Sequence, residues 1–319
     1  MLILNETDVR NATAFPELVE AVRTMFRSDC KMPTRHHHSL QVPNEPDATL
    51  LLMPAWTEGR YMGVKIVSVF PGNLRRSLPS VSGTYLLSSA LTGQNLAMID
   101  GAELTARRTA ASSALASRFL SRADAKILLV CGTGRLSLNL IEAHGSQRPL
   151  EKVLVWGRST EKAAETVKLA SRLHPNVSIA RDLEAAVREA DIISCATLSD
   201  APIVRGAWLK PGAHLDLIGA FTPDMRECDD EAVSRARIFV DTYEGALSEG
   251  GDLVQPIRAG VIGRDAVKAD LASLSKGEHA GRSGPDEITL FKSVGAALED
   301  LAGAILAFET STRLVQSDG

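Results

Sequence analysis

Hydrophobic residues follow a two-residue period in the first third of the chain. Residues 49–99 contain short β-rich runs in which apolar and polar positions nearly alternate, as in RYMGVKIVSVF. Such runs, separated by tight turns like the TGQ before NLAMID, predict an antiparallel meander that buries one face and pairs with a partner on the other. A stretch of small residues at 101–120, capped by Asp100 or its neighbour, predicts a long helix, and another helix is expected at 16–27.

The pattern changes at Lys126, where short apolar strands begin to alternate with amphipathic segments. KILLVC, KVLVWG, DIISCAT and HLDLIG have strand length, and helical stretches such as TEKAAETVKLASRL lie between them. This alternation predicts an α/β fold with a doubly wound, mostly parallel sheet over residues 121–300. A final helix in the run SVGAALEDLAGAILAFETSTRL is expected to return to the first domain. That domain is therefore discontinuous, an α+β unit of residues 1–120 completed by 301–319.

Composition and charge exclude several classes of partner. The chain has 319 residues and a formal net charge of −4, which gives no general electrostatic attraction to nucleic acid or to an anionic membrane. No signal peptide is recognised at the start, and the longest apolar runs are too short to span a bilayer. The cysteines are far apart and form no CxxC pair, so we expect reduced thiols in a cytoplasmic protein and no catalytic cysteine; they are Cys30, Cys131, Cys195 and Cys228.

The most informative motif is the stretch KILLVCGTGRLSLNLIEAH. An apolar strand ends at Cys131, a glycine turn follows, and a helix begins at once. Gly132 permits the tight turn, and Gly134 lets backbone N–H groups approach a pyrophosphate at the positive end of the helix. Ser137 stands where a third glycine is usual and is small enough for close packing of the helix on the strand. With βα-like units following it, this motif predicts a Rossmann-type dinucleotide-binding domain.

The end of the second strand indicates which dinucleotide is preferred. NAD-specific folds usually place Asp or Glu there to bind the ribose 2′-hydroxyl. Here the strand ends in Gly157, Arg158 and Ser159, which offer a cation and a hydroxyl in place of a carboxylate. We therefore expect NADPH to be preferred and NADH to be tolerated at weaker affinity; the alternative is that Arg158 is simply a solvated loop residue.

Longer blocks of the sequence resemble the ornithine cyclodeaminase/μ-crystallin family. LTARRTAASSALA and FKSVGAALED carry the resemblance, together with PGAHLDLIGAFTPDMRE and the GTGR loop. Members use NAD(P)(H) and include cyclodeaminases, alanine dehydrogenases, ketimine reductases and Δ1-pyrroline-2-carboxylate reductases. The resemblance implies a substrate domain made from both chain ends, a central Rossmann domain and a homodimer joined through the substrate domains.

The resemblance also implies roles for individual residues. Arg35 of MPTR, Lys65 of MGVK and Arg108 of LTARRT match residues that hold the substrate carboxylate, and Lys65 is a candidate proton donor if neighbouring cations lower its pKa. Two alternatives remain open: Arg107 and Arg108 as a basic helix face, and Lys65 as a solvent-facing strand residue. The other implied positions are Phe221 and Val294 for the substrate, and Ser80, Arg108, Thr109, Gly132, Gly134, Arg135, Leu136, Arg158, Ser159, Thr197, Ile218, Gly219 and Ser293 for the cofactor.

One departure from the family pattern bears on the reaction. Cyclodeaminases and archaeal-type alanine dehydrogenases carry an Asp in a GAD or GGD triplet, where this chain has Gly219, Ala220 and Phe221. μ-Crystallin, a ketimine reductase, also lacks that Asp and shares the continuation seen at residues 223–227, in which Glu227 belongs to a structural RE pair. The resemblance therefore implies NADPH-dependent reduction of Δ1-pyrroline-2-carboxylate or Δ1-piperideine-2-carboxylate to L-proline or L-pipecolate. The alternatives are ornithine cyclodeamination, deamination like that of alanine dehydrogenase, and μ-crystallin-like ligand binding without turnover.

Metal and hydrolase chemistry are not expected. His36, His37 and His38 are consecutive but have no second cluster of ligands at a suitable spacing, so a loop or strand edge beside the substrate-binding arginine is the preferred interpretation. Ser82 and Ser88 have no adjacent His–Asp arrangement that would activate a nucleophile.

Overall fold

The computed structural model describes residues 1–317, which form two compact units. Unit 1 comprises Met1–Arg108 and the C-terminal segment from Ala296, and unit 2 comprises Thr109–Gly295. These boundaries lie twelve and five residues before the expected ones at 120 and 300. The first falls inside the helix Gly101–Leu120 because the second half of that helix packs within unit 2, where Ser113 Oγ donates a hydrogen bond to Asp216 at 3.1 Å.

Unit 1 is built on a six-stranded sheet with the order β1-β6-β5-β4-β3-β2. Strand β1 pairs in parallel with β6, and the remaining neighbours are antiparallel, which confirms the predicted meander. Its elements are β1 (Leu2–Leu4), α1 (Glu6–Ala12), α2 (Phe15–Arg27), β2 (His36–Leu40), β3 (Ala48–Trp56), β4 (Tyr61–Val69), β5 (Val81–Ser89), β6 (Asn95–Asp100), the first part of α3 (Gly101–Leu120) and α11 (Ala297–Ser317), with a 3-10 turn at Pro71–Arg76.

Local sequence explains why these elements begin and end where they do. Asn5 and Asp8 form a capping box that starts α1, a helix too short to show a hydrophobic period. Asp100 accepts the backbone N–H of Glu103 at 2.7 Å and so caps α3, as expected. The last helix begins at Ala297, later than expected, because the preceding Thr289–Lys292 forms a strand.

Helix α11 covers one face of the unit 1 sheet. In β4 and β5, alternate residues point to this face, so Lys65 and Tyr85 are buried and directly paired, while Ile66 on the opposite face is 41% exposed. Small residues along α11 allow close packing. A Cβ on Gly303 of α11 would lie only 2.8 Å from the side chain of Leu104 on α3, so the two helices approach each other closely at this point. This packing places the carboxyl-rich start of α11 beside the middle of β4.

Unit 2 is a doubly wound parallel sheet, which confirms the predicted α/β class. All eight strands are parallel, in the order β13-β12-β14-β11-β10-β7-β8-β9. The elements are β7 (Ile127–Cys131), α4 (Arg135–Gly145), β8 (Lys152–Trp156), α5 (Thr160–Ala170), β9 (Val177–Ile179), α6 (Leu183–Glu189), β10 (Ile192–Cys195), β11 (His214–Leu217), α7 (Asp230–Arg235), β12 (Arg237–Val240), α8 (Tyr243–Glu249), α9 (Gly251–Arg258), β13 (Val267–Asp270), α10 (Leu271–Lys276) and β14 (Thr289–Lys292).

The strand order reverses beside β7, since β8 and β9 lie on one side of it and β10 and β11 on the other. In open α/β sheets, ligands bind outside the carboxyl ends of the strands at such a switch point. The predicted glycine motif follows β7 directly and therefore lies at this position. Within residues 1–317, no helix has the length and apolar character needed to cross a membrane.

Candidate functional site

Four charged side chains form a buried ion-pair cluster in unit 1. Lys65 Nζ lies 2.7 Å from Asp300 Oδ2 and donates to Oδ1 at 2.9 Å. Arg108 Nε donates to Asp300 Oδ1 at 2.8 Å, and its Nη1 to Glu299 Oε2 at 2.6 Å. These side chains are at most 5% exposed. Lys65 is therefore not a solvent-facing residue, and Arg108 is not part of a solvated helix face.

The fold assembles this cluster from three separate segments. Lys65 lies on the helix-covered face of β4, Arg108 lies on α3, and Glu299 and Asp300 lie in the first turn of α11. Carboxylates are favoured there by the unpaired N–H groups and the positive end of the helix dipole. No role was predicted for these two acids of FKSVGAALED, although a pair of acids in the first helical turn was the available signal.

The cluster changes the proton affinity of Lys65. Burial, together with the nearby cations Arg108 and Arg35, lowers the pKa of Lys65 to about 8 although Asp300 acts in the opposite direction. The pKa of Asp300 is below its usual value, because Arg108 and Lys65 outweigh the effect of burial. Lys65 is thus a cation that can release a proton close to neutral pH, as a general acid requires.

The neighbouring arginines have different surroundings. Arg35 is partly buried just before β2 and acts electrostatically on Lys65. Arg107 is buried as well, but its guanidinium donates to the carbonyl of Thr13 at 2.7 and 3.0 Å and lies over the ring of Phe15. Of the Arg-Arg pair, Arg108 is therefore the member that joins the ion-pair cluster, and Arg107 anchors the N-terminal segment.

Tyr85 completes the surroundings of the cluster. Its side chain is fully buried, and its hydroxyl has no hydrogen-bond partner among the described residues. Burial and the negative charge of Asp300 raise the pKa of Tyr85 well above its usual value, so the phenol stays neutral. Tyr85 was not predicted to lie at the site, because a tyrosine in a β-rich run is ordinarily a packing residue.

The glycine loop of unit 2 has the geometry that a dinucleotide requires. Gly132 has φ +137°, and a Cβ on it would lie 2.8 Å from the carbonyl oxygen of Ala196, so only glycine fits. Gly134 caps α4 and has no heavy atom within 4 Å of its Cβ position, which leaves room for a phosphate at the helix N-terminus. Ser137 Oγ donates to the carbonyl of Gly132 at 2.9 Å and fixes the turn. Arg135 and Leu136 form the start of α4.

The loop after β8 lies next to the first turn of α5. Arg158 is exposed, but the hydroxyl of Ser159 accepts the backbone N–H of Lys162 and donates to Glu161 Oε2 at 2.7 Å. No carboxylate stands at residues 157–159, but the first turn of α5 places Glu161 beside Ser159. The Ser159 hydroxyl is already used as a helix cap, which leaves Arg158 as the group able to attract a 2′-phosphate.

The remaining predicted cofactor positions follow the carboxyl ends of other strands in unit 2. Thr197 and Ile218–Gly219 come after β10 and β11, and Glu227 binds both segments. After β14, the hydroxyl of Ser293 and the N–H groups of Val294 and Gly295 all donate to buried Asp241 at 2.8–2.9 Å. Glu227 was predicted to have only a structural role, and no role was predicted for Asp241.

The structure separates the expected residues into two groups. Phe221 belongs to unit 2 and is 47% exposed. Ser80 belongs to unit 1, and its buried Oγ lacks a hydrogen-bond partner among the described residues. The unit 1 group is Arg35, Lys65, Ser80 and Arg108; the unit 2 group is Thr109, Gly132, Gly134, Arg135, Leu136, Arg158, Ser159, Thr197, Ile218, Gly219, Phe221, Ser293 and Val294.

The three histidines lie on the edge strand β2. Each is exposed, and the rings of His36 and His38 lie 6.3 Å apart on the same side of the strand. In the part of the chain that the structure describes, no group of three or more His, Cys, Asp or Glu residues could hold a metal ion.

Comparisons with known proteins extend these observations. The chain matches the model of the ornithine cyclodeaminase/mu-crystallin family over residues 1–313. It is 37% identical to the Delta(1)-pyrroline-2-carboxylate reductase of Colwellia psychrerythraea, over 95% of this chain and 97% of that protein. Thermococcus litoralis Delta(1)-pyrroline-2-carboxylate reductase, solved with NADH and L-proline, has a TM-score of 0.91 at 33% identity over 98% of each chain. An archaeal alanine dehydrogenase dimer with bound NAD has a TM-score of 0.89 at 30% identity, over 98% of this chain and 96% of that one.

Proposed function

Because the chain belongs to the ornithine cyclodeaminase/mu-crystallin family, we propose that it is an NAD(P)H-dependent reductase of cyclic ketimines. Its substrates are Δ1-pyrroline-2-carboxylate and the six-membered Δ1-piperideine-2-carboxylate, and its products are L-proline and L-pipecolate. The observation that carries the proposal is the buried contact between Lys65 and Asp300 beside Arg108. The names of the Colwellia relative and of the Thermococcus structure support the same reaction.

Charge explains why the unit 1 cluster suits an α-carboxylate. Lys65 and Arg108 are paired with Glu299 and Asp300, and the positive charge of Arg35 acts on Lys65. These cations attract a substrate carboxylate. Arginine binds carboxylates in a directed, charge-assisted way, so Arg108 and Arg35 fix the orientation of the substrate as well as attracting it.

The reaction needs one hydride and one proton. The nicotinamide cofactor, when bound, supplies a hydride that adds to C2 of the imine. The Lys65 ammonium gives its proton to the imine nitrogen, so that the C=N bond becomes CH–NH and Lys65 becomes a neutral amine. Asp300 keeps Lys65 oriented and favours its return to the charged form by uptake of a proton from solvent. No carboxylate at residue 221 is required, because the imine is already formed.

For the cofactor, we propose NADPH, bound with Arg158 near the 2′-phosphate. The exposed guanidinium supports this choice. NADH is the second candidate, because Glu161 places a carboxylate at the same loop and the Thermococcus structure contains NADH. The two candidates differ in one contact, which a substitution at Arg158 can test.

We also propose a homodimer formed through the uncovered face of the unit 1 sheet. This face is lined by apolar residues and includes a depression of about 730 Å³. Its residues include Trp56, Met62, Val64, Ile66 and Leu86, which alternate with the side chains under α11. A broad apolar surface of this kind is typical of an interaction site. Light scattering should give a dimer for the wild type and a monomer for Ile66→Glu, whereas Leu91→Glu, in an exposed turn, should remain a dimer.

The reaction itself is tested by a steady-state assay with NADPH and with NADH on both cyclic imines. We expect reduction of both imines and no release of ammonia from L-ornithine or L-alanine with the oxidised cofactors. Ornithine-dependent proline formation at a comparable rate would favour cyclodeamination. Tight binding of the imines without turnover would favour a non-catalytic ligand-binding protein.

A further inference from the structure

One buried carboxylate joins two loops of unit 2. Glu227 is fully buried, and its Oε1 accepts hydrogen bonds from the backbone N–H of Thr197 at 2.7 Å and from the Thr197 hydroxyl at 2.8 Å. Its Oε2 accepts the N–H groups of Gly219 at 2.8 Å and Ala220 at 3.3 Å. Thr197 follows β10 and Gly219 follows β11, and these strands are parallel neighbours. A single side chain therefore fixes the relative position of two loops at the carboxyl edge of the sheet.

The two loops are in direct contact at this point. A Cβ on Gly219 would lie only 2.0 Å from the carbonyl oxygen of Thr197, and 2.5 Å from Glu227 Oε1. No other side chain can replace the glycine without moving one loop. The spacing of the loops thus depends on the carboxylate that lies between their N–H groups.

The contact with Glu227 also determines how the Thr197 hydroxyl can bind a ligand. Its proton is donated to Glu227, so only oxygen lone pairs remain for another group. Thr197 is half-buried and can then only accept from a ligand. An amide NH₂ or a ribose hydroxyl satisfies this requirement, and a phosphate oxygen does not.

Charged and titratable groups on several elements act on Glu227. The N–H groups of Glu227 and Cys228 donate to Asp252 Oδ1 on α9, whose Oδ2 accepts Lys292 Nζ of β14 at 2.7 Å. The thiol of Cys195 on β10 also interacts with this carboxylate pair, and Cys228 lies beside Asp252. Burial and Asp252 raise the pKa of Glu227 to about 7, opposed by Lys292 and the donors on Thr197.

We propose that Glu227 is a positioning residue for the nicotinamide end of the cofactor, and that it holds the two loops in the binding geometry only while it is ionised. Protonation of Oε2 turns the acceptor of the Gly219 and Ala220 N–H groups into a donor that faces them. The Gly219 loop would lose its partner and move. This inference rests on the proposed nicotinamide cofactor. Glu227 acts on cofactor binding through the two loops and need not contact the cofactor itself.

The test measures the Kd of NADH by fluorescence from about pH 6 to about pH 8.5, a range that spans the expected ionisation. NADH is used because it lacks the 2′-phosphate, which titrates in this range. For the wild type we expect the Kd to fall about 3- to 10-fold as the pH rises, the effect of one hydrogen bond. Glu227→Gln should bind weakly and without this pH dependence, with a raised KM for NADH and an unchanged kcat at saturation.

Asp224→Asn is the matched control, because it removes a carboxylate from the same loop at an exposed position. It should keep the wild-type profile. A wild-type Kd that stays constant across the range, or a Glu227→Gln protein that binds like the wild type, would overturn the proposal. If Glu227→Gln does not fold, the wild-type profile decides alone. Failure of the wild type to bind either dinucleotide at any pH would instead refute the proposed cofactor, and this inference with it.

Discussion

Lys65 and Asp300 are 235 positions apart in the chain, yet Nζ and Oδ1 are joined by a 2.9 Å hydrogen bond that is buried from solvent. An isolated ammonium in such surroundings would lose its proton or destabilise the fold. Asp300 compensates the charge, and Arg108 shares the same carboxylate. The cluster therefore meets two requirements. The buried charges are paired, which the fold requires, and Lys65 can release its proton, which the proposed reaction requires.

Substitution of Lys65 by methionine should abolish most of the activity. We expect kcat/KM for imine reduction to fall by about 10²- to 10⁴-fold, because the proton donor and one carboxylate-binding cation are both lost. Asp300 keeps its contact with Arg108, so the protein should fold and bind NADH normally. Lys126→Met, at an exposed lysine, is the control. Near wild-type efficiency of Lys65→Met would show that Lys65 is not the proton donor.

The pH profile should report the ionisation of Lys65. Its pKa is about 8, and the charged form is the proton donor, so the donor is present below that pH and lost above it. We expect kcat to decline about tenfold per pH unit on the alkaline side once Lys65 is neutral. The measurement is kcat at saturating imine and cofactor across this range. A rate that rises through pH 8 would contradict the assignment.

Asp300→Asn should destabilise the protein. The pKa of Asp300 is lower in the folded protein than in the unfolded chain. Ionised Asp300 therefore stabilises the folded state at pH values above its pKa in the unfolded chain, and this stabilisation is lost as the pH falls through its pKa in the folded protein. At neutral pH, loss of one partner of a buried pair costs about 3–5 kcal/mol of unfolding free energy. Urea unfolding measures this difference. The exposed Asp224→Asn should change it little, and equal losses in the two variants would argue against the buried pair.

Substitution of Arg158 tests the cofactor. In the wild type we expect a lower KM for NADPH than for NADH, and Arg158→Asp should reduce or reverse that preference. The loss of a charge-assisted phosphate contact corresponds to about 1.5–3 kcal/mol, or roughly a 10- to 100-fold change in the ratio of kcat/KM with NADPH to kcat/KM with NADH. KM values for both cofactors are compared in each protein. Equal values in the wild type would refute a role for Arg158 in binding the 2′-phosphate.

The two glycines of the loop between β7 and α4 should respond differently to alanine. Gly132→Ala places a Cβ 2.8 Å from a carbonyl oxygen at φ +137°, so we expect a loss of about 1–3 kcal/mol in unfolding free energy. Gly134→Ala has open space and a negative φ, and should unfold like the wild type while the added methyl group weakens NADH binding. Thermal unfolding and NADH titration separate these effects. Similar Tm values for both variants would be inconsistent with strain at Gly132.

Short-range patterns in the sequence determined the architecture of each unit. Alternating polarity predicted strands β3 to β6, and the change of period at Lys126 predicted the parallel sheet. The strands β13 and β14 were not predicted, because each has four residues and includes a lysine, Lys268 or Lys292. Lys292 is tolerated inside a sheet since it is paired with Asp252, a contact that local pattern cannot reveal.

The fold class, the glycine turn at Gly132 and the family can be predicted from the sequence, because they depend on local spacing and on blocks of neighbouring residues. The folded chain is needed to find the direction of Lys65, its pairing with Asp300, and the link that Glu227 makes between Thr197 and Gly219. A strand's alternation is the same whichever face is buried, so the direction of Lys65 depends on where α11 packs. Pairing of distant charges is likewise set by the path of the whole chain, which no short window of sequence contains.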